Sequence, residues 1–94
     1  MRPASIFPDL DDAAERAAAA LQRGERSILL EVRPIAAPGP QVRLWDGVPG
    51  SVVSRKMAPP KILGQQSRVA AVIVRVDVDD VLAAMARKIE RASR

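Results

Sequence analysis

The sequence predicts an α+β domain. N- and C-terminal helices pack on one face of an antiparallel sheet of three to four strands, in the order α-β-β-β-β-α. Three observations carry this prediction. Apolar residues recur at helical spacing near both ends of the chain, over 9–23 and 79–92. Between them lie runs of β-branched residues alternating with polar ones. Proline and glycine clusters separate those runs.

The first helix places Leu10, Ala13, Ala14, Ala17, Ala18 and Leu21 on one stripe, narrow and made of small residues. Asp9, Asp11, Asp12 and Glu15 crowd its first turn, where they cap N–H groups and meet the positive end of the dipole. Arg23 and Gly24 mark its end. A strand follows over 27–33, with Ile28, Leu30 and Val32 on one face and Leu29, Glu31 and Arg33 on the other. After a turn at 36–40, residues 41–45 read as the returning strand, Val42 and Leu44 one way, Arg43 and Trp45 the other. A second turn, 46–50, leads to a weaker strand over 51–57, which Pro59-Pro60 stops. The stretch 57–67 is a long loop, either functional, as long connections in small domains often are, or, the favoured reading, packed on the surface through Ile62 and Leu63. The clearest strand spans 68–78, with Val72, Val74, Val76 and Val78 on one face. Its near-continuous apolar run over 69–74 marks it as central. Asp79 and Asp80 open the last helix, whose buried stripe is Val81, Leu82, Met85, Ile89 and Ala92.

The chain reads as one domain over 1–94 with an N-terminal arm at 1–8. At 94 residues it buries only roughly 60–65% of its unfolded surface, so its core is small. Composition excludes most catalysis. There is no Cys, His or Tyr, which removes the usual thiolate and imidazole ligands and the usual general base. The six Ser have no base to activate them, and no glycine pattern cradles phosphate. The carboxylate groups Asp9-Leu10-Asp11-Asp12 and Asp77-Val78-Asp79-Asp80 lack calcium-loop spacing and sit where helix caps belong. We therefore expect no enzyme activity, no cofactor, no metal site and no small-molecule substrate. No apolar run reaches membrane-spanning length and no signal segment opens the chain. The expected location is the cytoplasm, or a particle assembled there.

The net charge of +4 is unevenly spread. Residues 1–47 carry six basic and seven acidic side chains, whereas 48–94 carry nine and four. No acid occurs between Asp46 and Asp77, a gap holding Arg55, Lys56, Lys61, Arg68 and Arg75. Arg87, Lys88 and Arg91 form a second basic group. On the expected strand faces, Arg33, Arg43 and Arg75 lie with Leu29, Trp45 and Ile73 away from the helices, and Arg55 joins them. Arg with Trp suits single-stranded nucleic acid. Trp, Leu and Ile with Arg suit a protein interface. Arg stems paired with Glu31 and Asp77 also serve simply to cover a sheet. The expected function is a structural or assembly subunit acting through protein contacts, with itself or another protein, as in a phage particle or a similar oligomeric complex. The alternative is a nucleic-acid accessory protein gripping phosphates through 55–75 and the last helix.

Overall fold

The computed structural model describes residues 8–33, 39–60, 62–64 and 68–93. Their order is α1 (Leu10–Gln22), β1 (Ser27–Val32), β2 (Gln41–Arg43), a 3-10 turn at Trp45–Gly47, β3 (Pro49–Met57), β4 (Val69–Asp77) and α2 (Val78–Ala92). All four strands form one antiparallel sheet in the order β1-β4-β3-β2. Both helices cover one of its faces, so the predicted class and element order hold.

Local chemistry sets the helix ends. The Asp9 carboxylate accepts from the Asp11 backbone N–H at 3.1 Å, and Asp77 accepts from that of Asp79 at 3.3 Å. The two Asp clusters thus begin helices, as their spacing predicts. At the other end of α1, Gly24 takes φ of 82°, the left-handed region that favours glycine. Backbone N–H groups of Gly24 and Glu25 return to Leu21 and Ala20, satisfying carbonyls the helix leaves open.

The core lies between the helices and the sheet. Ile28, Leu30 and Val32 of β1 and Val72, Val74 and Val76 of β4 are buried together, as predicted. On the helix side, Leu10, Ala13, Ala17 and Ala20 meet Val78, Val81 and Ala84 in the same cluster. Lys88 Nζ lies 2.9 Å from Asp11 Oδ1, which sets the start of α1 beside the end of α2. The two helices therefore run antiparallel.

Several expectations are corrected. On α1, Ala18 and Leu21 are exposed and Ala20 is buried. On α2, Ile89 and Ala92 are exposed and Ala84 is buried. Val78 already belongs to α2, since the strand turns directly into the helix. The returning strand ends at Arg43; the strand order, which the sequence left open, puts it on the far edge, beside β3. Residues 45–47 are a 3-10 turn, and β3 begins two residues earlier than predicted, at Pro49. Ile62 and Leu63 do not anchor the loop, because both are exposed. Met57 belongs to β3 and not to the loop. The N-terminal residues 1–7 and the turn residues 36–38 lie outside the described residues.

Candidate interaction surface

The sheet face away from the helices is built by register. Ser27, Leu29 and Glu31 of β1 stand opposite Asp77, Arg75 and Ile73 of β4. Ser51 and Ser54 of β3 stand opposite Arg75 and Ile73 from the other side, and Gln41 of β2 stands opposite Ser51. By alternation Arg33 and Arg43 share this face. Three of the predicted residues, Arg33, Arg43 and Arg75, are therefore brought to one side, all of them exposed.

Two predicted members are not there. A register shift between Val52 and Ser54 inserts Val53 as an extra residue. Val52 stands opposite the buried Val74, on the helix side. Unbroken alternation would send Arg55 to the open face. The bulge sends it back to the helix side, opposite Val72, and brings Lys56 to the open face opposite Ala71. Lys56 Nζ there meets Glu31 Oε2 at 2.7 Å, across the central strand. That hydrogen bond, with the Lys56 charge and a smaller pull from Arg33, holds the Glu31 carboxyl below its ordinary value.

Trp45 is the second correction. In the 3-10 turn it is half-buried against the core, and its indole Nε1 donates to the Pro8 carbonyl at 2.9 Å. It lines a shallow groove of about 330 Å³ with Asp9, Leu10, Lys88 and Arg91, on the helix side. Trp45 therefore provides no stacking platform on the open face. Lys88 is also on the helix side, where its hydrogen bond to Asp11 raises its pKa above the ordinary lysine value. Arg87 and Arg91 share α2 with it, so the predicted basic residues divide between two sides of the molecule. Arg68 is exposed next to the start of β4, and Lys61 lies outside the described residues.

The structure adds a feature that the sequence pattern did not reveal. Among the described residues, β1 pairs with β4 only as far as Val72, and β2 pairs with β3 only over Pro49–Ser51. The distal parts of β3 and β4 therefore extend as a hairpin, closed by Ala58 N–H donating to the Arg68 carbonyl at 2.8 Å. Val53, Met57, Ile62 and Leu63 are exposed along it, at 44%, 54%, 62% and 101%. An apolar pair, Ile62-Leu63, between Pro59-Pro60 and Gly64 was the available signal, but hydropathy alone gave it an inward reading.

Chemically, this surface offers backbone groups, apolar side chains and cations. Among the described residues, no cluster of three or more acidic side chains could hold a metal ion. A shallow groove of about 460 Å³ beside β1 includes Arg16, Arg23, Glu25 and Arg75, but Arg23 is already 2.8 Å from Glu25. No helix among the described residues is long and apolar enough to cross a membrane. The chain matches no family model, no curated protein and no solved structure.

Proposed function

We propose that this chain is a non-enzymatic assembly subunit that docks, on itself or on another protein, through its β3–β4 hairpin. One observation carries the reading. Of the seven large apolar side chains exposed among the described residues, four lie on this hairpin between Val53 and Leu63. Apolar groups gathered on a projecting element and mixed with Arg and Lys match the composition of protein interfaces. The half-buried position of Trp45 weakens the nucleic-acid alternative, because stacking on bases needs an open aromatic ring.

Each apolar side chain that leaves water at an interface contributes about 1.5–3 kcal/mol. Changing Ile62 and Leu63 together to Asp is therefore expected to weaken association by at least about tenfold. Light scattering on the purified chain reports self-association, and capture on the immobilised chain reports another protein partner. Association that the double variant loses, with an unchanged thermal melt, supports the reading. A chain that stays monomeric, captures no protein and binds single-stranded DNA or RNA with steep salt dependence overturns it.

A further inference from the structure

We propose that the groove beside β1 binds a phosphate monoester, with Arg16 and Arg75 holding the charged group and Leu29 supporting the organic one. This site shares no residue with the apolar group on the hairpin and stands independently of the assembly reading.

The groove, about 460 Å³, is lined by α1, the turn after it, β1 and one residue of β4. Arg16, Ala19 and Arg23 follow at i, i+3 and i+7, so they lie along one side of α1 and its C-cap. Ala19 is too short to fill the space between the two guanidiniums. Arg16 Nη2 donates to the Leu29 carbonyl at 2.7 Å, which fixes that side chain against the edge of β1. Register sets Arg75 of β4 opposite Leu29, and Arg75 lines the same groove from the sheet. Ser27 adds a hydroxyl, and Ala19, Ile28 and Leu29 add apolar surface.

Charge selects the ligand. Glu25 is the one acid in the lining, and it lies 2.8 Å from Arg23, so the two offset each other. The carboxylates two positions either side of Arg75 on the open face are engaged elsewhere. Glu31 accepts from Lys56 at 2.7 Å, and Asp77 accepts from the Asp79 N–H at 3.3 Å. Arg75 forms no ion pair among the described residues, and Arg16 meets a carbonyl, which leaves its charge uncompensated. The segments outside the described residues contain no Asp or Glu. Two uncompensated guanidiniums match the two negative charges of a phosphate monoester better than the single charge of a carboxylate or a phosphodiester. Arg16 spends one N–H on Leu29 and retains others for a phosphate oxygen. Both arginines are exposed, so screening keeps the affinity low, on the order of 1 mM at low salt.

The test is an NMR titration of the whole chain with phenyl phosphate at low salt. Saturable shifts are expected at Ser27, Leu29 and Arg75 and at the side chains of Arg16 and Arg75. Benzoate, with the same ring and a single charge, is expected to bind at least about tenfold more weakly, as is dimethyl phosphate. Arg75→Gln is expected to weaken phenyl phosphate about tenfold with an unchanged thermal melt. Arg33→Gln, on the same face but outside the groove, is expected to have no effect. Glu25→Gln releases Arg23 and is expected to tighten binding about threefold. A phosphoserine peptide separates two sources of the group. Binding about tenfold tighter than phenyl phosphate assigns it to a phosphorylated protein segment, and equal or weaker binding to a small molecule. Several results would overturn the proposal: no saturable shift up to about 20 mM, equal binding of benzoate, or binding that Arg75→Gln leaves intact. Shifts confined to α2 or to Lys56 and Arg68 do so too, as does tighter binding at these residues of a single-stranded oligonucleotide without terminal phosphates. The double Asp variant at Ile62 and Leu63 is expected to bind phenyl phosphate like the unaltered chain, so either reading can fail and leave the other standing.

Discussion

Gly50 sits where the sheet leaves no room for a side chain. A Cβ there would overlap Val74 Cγ1 and lie 3.4 Å from Leu44 Cδ1. Val74 is fully buried on the central strand and has little room to yield. Gly50→Ala is therefore expected to cost about 1–3 kcal/mol by urea denaturation, the usual penalty for overpacking. An unchanged midpoint would mean that Val74 moves aside. Glu31 carries a second prediction. Its folded pKa is lowered by Lys56, so the unfolded chain binds the proton more readily. The pair's contribution is present above the ordinary carboxylate pKa and lost as pH falls through the lowered folded value. The contribution is small because both side chains are exposed. An NMR titration should find the Glu31 midpoint depressed, and Lys56→Met should return it toward the ordinary range. Neither feature was legible in the sequence. Gly50 looked like part of a turn, and Glu31 and Lys56 stand 25 residues apart.

At the scale of elements, the helix starts were legible because capping is local: one carboxylate reaches an N–H two residues on. Asp77→Ala is expected to destabilise the domain by about 0.5–2 kcal/mol, measured by thermal melting, with Asp77→Asn recovering most of the loss. The far end of α2 was misread for a physical reason. Lys88 meets Asp11 at the first turn of α1, so Ile89 and Ala92 run past the end of the neighbouring helix. Their spacing is correct for a buried stripe, but both remain exposed. β3 misled in a similar way. Alternation puts Arg55 on the open face, and one extra residue at Val53 reverses it. A bulge has no dependable local signature where Val follows Val.

For the whole molecule, close approach through small residues replaces bulk. Ala13, Ala17 and Ala20 on α1 and Ala84 on α2 are buried where two helices and the sheet converge. Ala17→Leu is expected to cost about 1–3 kcal/mol. For a domain of this size that lowers Tm by roughly 4–8 °C per kcal/mol. Ala18→Leu, on the exposed side of the same helix, should leave Tm nearly unchanged. The same scale governs the proposed interaction surface. Arg33, Arg43 and Arg75 share a face as their strand positions predicted, whereas Trp45 and Arg55 do not lie on it.

Sequence alone determined what depends on near neighbours. Valine alternation settled that β4 is a strand and which of its faces is buried. Aspartates settled where both helices begin, and Gly24 settled where the first one ends. Tertiary structure decided what depends on partners distant in the chain. It placed β2 beside β3, turned Trp45 inward to the Pro8 carbonyl, and left Met57, Ile62 and Leu63 in solvent. Periodicity records which side of an element is apolar. Whether another element arrives to cover that side is settled only by the strand order and by how far each neighbour extends.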